Sequence, residues 1–256
     1  MENETVRWSE LLHRAISDPG VIASAYSRFH NYSIGNQILA LIQCKGRGIE
    51  PGPIGTFMRW KDCGRYVRKG EKALMLCMPI TCKRKATDAE DDTPEVFTRF
   101  TYKRNWFVLS QTEGDEYTPE PLPDWSGSKA LESLSIERVA FDMLDGNTQG
   151  YAQGRKVAVS PIAQFPAKTL LHELAHVLLG HTSELMSDTS ERTPKDIREL
   201  EAECVAMLCC ASLGLPGEEF SRGYIQHWFH GQAVPERSAQ KIFHAADQIL
   251  KAGRAK

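Results

Sequence analysis

Long apolar runs are missing from this 256-residue chain. No stretch approaches the roughly 18 apolar residues that cross a bilayer, so no membrane helix is expected. The opening residues, with Glu2 and Glu4, lack an apolar core, so no secretory leader is expected. An excess of charge of one sign is also missing. Lys and Arg number 31 against 33 Asp and Glu, for a net charge of −2. That excludes a histone-like binder that coats DNA or anionic lipid by bulk charge. Internal repeats and low-complexity tracts are absent, which argues against a solenoid. The seven cysteines are odd in number and contain no Cys-x-x-Cys pair; Cys77 and Cys82 are five apart. A zinc ribbon or disulfide framework is therefore not indicated, and reduced thiols in the cytoplasm are expected. What is present is ordinary for a globular protein: 41% hydrophobic, 25% charged and 9% aromatic residues, with length for one or two domains.

The pattern along the chain predicts an α+β protein. Trp8, Leu11, Leu12, Ala15 and Ile16 fall on one helical face, stopped by Pro19-Gly20. A second helix is predicted over Ser33–Gln43, followed by a loop of Gly and Pro from Gly46 to Gly55. Between Thr56 and Thr112, short runs such as Ala73–Met78 and Trp106–Leu109 read as strands of a small antiparallel sheet, with Arg68–Glu71 as a turn. Ala86–Glu95 carries five acids and reads as a solvated loop. The proline cluster Pro119, Pro121 and Pro123 marks a boundary, so two domains are expected, 1–125 and 126–256. The second is predicted to be mostly helical: Leu131–Leu144, Ala167–Leu179 closed by Gly180, a helix opened by Thr193-Pro194 and running to Leu213, and Pro235–Lys251. Arg155–Ser160 reads as a strand.

The chemistry concentrates in His172-Glu173-Leu174-Ala175-His176. Histidines four apart share a helical face and can reach one ion, and Glu173 beside the first is placed to act as general base. Leu170, Leu171, Leu174, Val177 and Leu178 give the site an apolar surround. The extended metzincin pattern is excluded, because Leu179 and Thr182 stand where it needs Gly and His. The third ligand is expected on the later helix, where Glu199 and Glu203 share a face. Glu199 is assigned to the metal, and Glu203 to a ligand histidine or to the metal as the alternative. Glu201 is expected to point elsewhere, and the three glutamates also fit a solvated acidic face. Such a set fits zinc best and also accepts manganese. Tyr151 or His181 could stabilise an oxyanion. The strand before the active helix suits an extended peptide substrate laid along an edge.

From Arg59 to Lys85 nine basic residues face only Asp62 and Glu71, with Phe57, Trp60 and Tyr66 interleaved. Cations that track phosphates and rings that stack on bases are the ingredients of single-strand binding. The candidate nucleic-acid residues are Trp60, Lys61, Arg65, Tyr66, Arg68, Lys69 and Lys72, with Lys103, Arg104 and Trp106 as extensions. The same stretch also fits a solvated strand face over core aromatics. Asn36 and Gln37, at a helix start, suit either nucleic-acid contact or capping.

The chain resembles the ArdC-type anti-restriction proteins. The resemblance rests on Tyr32–Gln37, Trp60–Lys72, Val108–Thr112, the stretch Thr169–His176 and the Glu199–Glu203 segment. It implies an N-terminal single-stranded-DNA-binding domain, a zincin-like metalloprotease domain with one divalent ion, and protection of incoming plasmid DNA from restriction in the cytoplasm. A protein substrate or restriction-system component is an implied partner. Two other readings remain: a cytosolic metallopeptidase whose first half recognises a protein, and a DNA-binding protein with a proteolytically silent metal site.

Overall fold

The computed structural model describes residues 6–84, 95–143, 147–182, 194–228 and 234–254. The architecture is α+β, as expected. The chain forms two compact units, and neither is a continuous half. One is Leu39–Pro119; the other joins Val6–Ile38 to Glu120–Lys256. The chain crosses between units at Ile38–Leu39 and again at Pro119–Glu120, the second crossing falling in the proline-rich stretch before residue 125. The first helices belong with the C-terminal segment.

Direct contacts explain that placement. Helix α1 (Trp8–Ser17) and helix α2 (Val21–Phe29) bury Leu11, Leu12, Ala15, Ile16, Val21, Ile22, Ala25, Tyr26 and Phe29. Helix α2 was not foreseen; it starts directly from Gly20, whose φ of 77° turns the chain after Pro19. Helix α3 runs from Ile34 to Arg47. Helix α9 (Glu236–Ala252) supplies carboxylates to the starts of two of these helices. Glu236 accepts from the Trp8 and Ser9 amides at 2.7 and 3.0 Å, and Asp247 accepts from the Ile34 amide at 2.7 Å. Free amides at a helix start favour an anionic acceptor. At the other end of α1, Arg222 donates to the Ile16 carbonyl. Gln37 is buried and donates to the Tyr32 carbonyl at 2.8 Å, so it serves the structural role of its two readings.

The Leu39–Pro119 unit holds a three-stranded antiparallel sheet. Its order is β1 (Ile54–Thr56), β4 (Glu95–Val108), β3 (Leu74–Arg84). Helix α4 (Phe57–Asp62) follows β1, so Trp60 and Lys61 lie on a helix rather than a strand. A two-stranded ribbon pairs β2 (Arg65–Val67) with β5 (Thr112–Gly114). Buried Gln111 links these parts: it accepts from the Val108 amide and donates to Glu71 and to the Lys72 carbonyl at 2.9 to 3.1 Å. The acidic segment falls outside the described residues except for Glu95, which opens β4.

In the other unit, α5 (Gly127–Ser133) is shorter than the predicted Leu131–Leu144 helix. Ser135 takes φ 53°, and Glu137–Arg138 then forms strand β6. Strand β8 (Lys156–Val159) lies between β6 and β7 (Gly150–Gln153). The strand expected to be an edge is therefore central, and β7 is an edge. Helix α6 (Pro166–Leu178) has proline in its first turn and is followed by Gly180 at φ 76°. Helix α7 (Lys195–Leu213) is buried continuously from Leu200 to Ser212, with neighbours α2, α6, α8 (Glu218–Trp228) and α9. A helix enclosed on all sides is apolar all round, and Glu201 and Glu203 are its charged exceptions.

Gly35, on α3, tests the packing of α1. A Cβ there would sit 2.4 Å from the Trp8 ring, which itself packs on Phe243. Gly35→Ala is expected to destabilise the fold by about 1–3 kcal/mol, read as a lower midpoint in urea denaturation. An unchanged midpoint would contradict this packing.

Candidate metal centre and nucleic-acid surface

Helix α6 places His172 and His176 one turn apart, with their Nε2 atoms 3.0 Å from each other. Across from them, Glu199 in the first part of α7 brings Oε2 to 3.4 Å from His172 Nε2 and 3.6 Å from His176 Nε2. These three atoms could hold a metal ion. Donors bound at 2.0–2.1 Å in a tetrahedral arrangement lie about 3.3 Å apart, so the triangle fits such an ion. The sequence assignment of Glu199 thus coincides with the convergent group in the structure.

The remaining imidazole nitrogens are also engaged. His172 Nδ1 lies 2.9 Å from Glu203, whose other oxygen accepts from Lys168 Nζ at 2.7 Å. Glu203 therefore stands behind a histidine, the first of its two expected roles. His176 Nδ1 lies 3.0 Å from His181 Nδ1, and His181 Nε2 lies 3.0 Å from Glu201. Glu201, expected to point elsewhere, is not among the three convergent groups; it is buried and joined to them through His181. Residue spacing on α7 could not show this, because the intermediary comes from the turn after α6.

The electrostatics follow from these contacts. Burial alone would lower the His172 pKa, but the carboxylates of Glu199 and Glu203 outweigh it and raise it to about 9. The two imidazoles that face it hold Glu199 far below the ordinary carboxylate range. Burial resists ionisation of Glu203, yet His172 and Lys168 bring it down to about 2. Glu173 differs: it is 6% exposed, and burial pushes its carboxyl above the usual range.

A cleft of about 540 Å³ opens over this group, with Glu173, Gly150, Tyr151, Lys195 and Arg198 in its walls. Strand β7 comes close to α6 here. A Cβ on Gly150 would meet Glu173 Oε1 at 3.0 Å and the Ala158 carbonyl at 2.9 Å, so glycine permits the approach. Tyr151 donates to Asp142 at 3.0 Å, and His181 has both ring nitrogens engaged. Neither of the two expected oxyanion donors is free in this arrangement.

Comparison with known proteins agrees with both parts of the chain. Residues 1–108 match the N-terminal domain of anti-restriction factor ArdC, and residues 166–227 match the IrrE N-terminal-like domain of peptidase family M78. The chain carries an ArdC-type N-terminal domain followed by an IrrE-like domain. The metal-free crystal structure of the antirestriction ArdC protein from plasmid R388 is similar in fold, at 23% identity and TM-score 0.54. The similarity covers 96% of this chain and 94% of that one. The Mn(II)-bound structure of the same protein gives a TM-score of 0.50. An uncharacterised protein, y4eC of Sinorhizobium fredii (strain NBRC 101917 / NGR234), is 27% identical over 233 residues, 84% of this chain and 75% of that protein.

In the ArdC-type domain the basic candidates divide into two groups. Trp60 is 1% exposed, donates from Nε1 to the Phe107 carbonyl at 2.9 Å and packs edge-on against Tyr117. It is a core residue and presents no face to a base, which corrects the stacking role expected of it. Arg65 donates to Thr112 Oγ1 and to the Thr112 carbonyl at 2.8 and 3.1 Å. Arg68 donates to Glu71 at 3.1 Å and to the Ser110 carbonyl. Both arginines tie β2 and its turn to the β4–β5 connection. Lys61, Tyr66, Lys69 and Lys72 are exposed. On the β3–β4 hairpin, Phe100 is 67% exposed, with Arg99, Lys103 and Arg104 exposed near it in the strand. Trp106 is buried and does not extend this surface.

Glu203 yields a pH-dependent test. Its carboxyl is held at about 2 against an ordinary 4.5, so its contacts stabilise the metal-free fold above about pH 4.5 and are lost as pH falls toward 2. The melting-temperature difference between wild type and Glu203→Gln is expected to be largest near about pH 5 and to shrink toward pH 2. A difference that is constant across this range would remove the ionised pair.

Proposed function

We propose that the chain is an anti-restriction protein of a mobile element. In this reading it binds single-stranded DNA through its ArdC-type domain and holds one divalent ion at a peptidase-type site in its second unit. The observation that carries the reading is the convergence of His172, His176 and Glu199, beside buried Glu173, in a chain whose first 108 residues match the ArdC domain.

His172, His176 and Glu199 hold the ion, with Glu203 fixing His172. When bound, the ion supplies a Lewis acid suited to hydrolysis of a peptide carbonyl. Glu173 has the chemistry of a general base: burial pushes its carboxyl above the usual range, which suits it to take a proton and return it to a leaving group. Strand β7 lines the same cleft and offers an edge for an extended polypeptide, whether a substrate or a component of the restriction system. Two imidazoles and a carboxylate accept zinc or manganese. The Mn(II)-bound R388 ArdC structure supports the second of these ions in a protein of this fold.

Exposed Lys61, Lys69 and Lys72 are the phosphate contacts and Tyr66 the stacking ring. Buried Trp60 and the hydrogen-bonded Arg65 and Arg68 support this surface. No helix among the described residues is long and apolar enough to cross a membrane. In this reading the protein acts in the cytoplasm beside incoming DNA.

Two tests follow. Replacing Lys61, Lys69 and Lys72 together by alanine should weaken single-strand binding and flatten the slope of log affinity against log salt by about 2, at about 0.7 per lost contact. An unchanged affinity and slope would remove this surface. Metal analysis should find about one ion per chain, lost on His172→Ala/His176→Ala and kept on Glu173→Ala. Conjugation into restricting and non-restricting recipients then separates the readings. Loss of protection with Glu173→Ala ties protection to peptidase chemistry. Retained protection assigns it to DNA binding over a silent metal site.

A further inference from the structure

We infer that His181 and Glu201 form a relay that fixes His176 in the one tautomer that can bind a metal. The inference rests on reading His172, His176 and Glu199 as a metal site. It adds two positioning residues to that site, and they orient His176 as Glu203 orients His172.

Proton bookkeeping along the chain of contacts gives the argument. An imidazole that offers its Nε2 lone pair to an ion carries its proton on Nδ1. In His176 that proton points at His181 Nδ1, 3.0 Å away. His181 must then accept at Nδ1 and carry its own proton on Nε2, which lies 3.0 Å from the Glu201 carboxylate. Every donor along the line meets an acceptor, and both rings are neutral. In the reversed arrangement the Glu201 carboxylate would face a lone pair while 1% exposed, an unfavourable state for a buried anion. Glu201 therefore selects the tautomer at a distance of two hydrogen bonds.

The relay is held from both ends. Gly180, at φ 76°, turns the chain after α6 so that the His181 amide donates to the His176 carbonyl at 2.9 Å. Arg198 donates to the His181 carbonyl at 3.3 Å. Glu201 is further bonded by the Ser238 side chain on α9 and lies near the charge of Lys241. Alternate glutamates on α7 thus take different tasks. Glu199 and Glu203 share a face toward α6. Glu201, about 200° around the helix, is reached only because the turn after α6 carries a histidine.

The test is titration of the full chain with Zn²⁺ and with Mn²⁺ alone, for wild type, His181→Ala, His181→Gln, Glu201→Ala and the double alanine variant. Loss of a group that orients a ligand histidine typically weakens metal binding about 10- to 100-fold, and His181→Ala is expected in that range. Glutamine at 181 can accept with its amide oxygen and donate with its amide nitrogen, so His181→Gln should recover affinity to within about threefold of wild type. The double variant should be no weaker than the weaker single one, because the two residues act in series. Nitrogen NMR of the zinc-loaded wild type should show the His176 proton on Nδ1, and a tautomer mixture in His181→Ala. The relay is overturned if His181→Ala binds as tightly as wild type, if His181→Gln loses as much as His181→Ala, or if the single effects add. Failure of the wild type to bind either ion would instead overturn the metal site, and the relay with it.

Discussion

The second unit is organised by a helix that is buried on every side and yet carries ionised groups. Helix α7 is enclosed from Leu200 to Ser212, and Glu201 and Glu203 lie within that stretch. A carboxylate without a partner in such a place would cost several kcal/mol, so its neighbours are constrained to supply donors. They do so through His172 with Lys168 for Glu203, and through His181 with Ser238 for Glu201. The packing of α6 on α7 and the orientation of the imidazoles are two outcomes of one requirement. Glu199, nearer the helix start and less buried, is left to face the open side of both rings.

The ArdC-type domain shows a comparable economy in its basic segment. Arg65, Arg68, Glu71 and Gln111 satisfy main-chain carbonyls and one another across β2, β5 and the turn before β3. The cationic character of the segment therefore has two sources. Some of it stiffens a small sheet, and some of it, on Lys61, Lys69 and Lys72, is turned to solvent. Small sheets gain much of their stability from such ties, because they bury little apolar area of their own.

Much of the candidate centre was legible in the sequence, because it depends on helical spacing. His172 and His176 share a face by periodicity, and the Glu199–Glu203 spacing marks a second face able to meet them. The link of Glu201 to the centre was not legible, since angle around a helix says nothing about a turn that reaches it from another element. Trp60 was misjudged for a related reason. Composition shows which groups could touch DNA but not which are already engaged by carbonyls. The placement of α1 and α2 was not legible, because amphipathic periodicity shows that they have apolar faces without naming their partners. The carboxylate that accepts from the start of α1, Glu236, lies 228 residues further along the chain. The overlong helix at Leu131–Leu144 failed on one residue, Ser135, whose left-handed backbone nothing in the apolar pattern signals.

That same arrangement of units sets the order in which the protein can be completed during synthesis. Helices α1 and α2 leave the ribosome well before the surfaces that cover them, on α7 and α9. Until then the nascent chain carries Leu12, Ile16, Ile22 and Phe29 without their final neighbours, while Leu39–Pro119 has all of its own sequence available. The middle of the chain can therefore fold ahead of its beginning. The exposed N-terminal helices in that interval are a natural point of engagement for chaperones. A fragment cut at residue 126 would leave the same surfaces uncovered permanently.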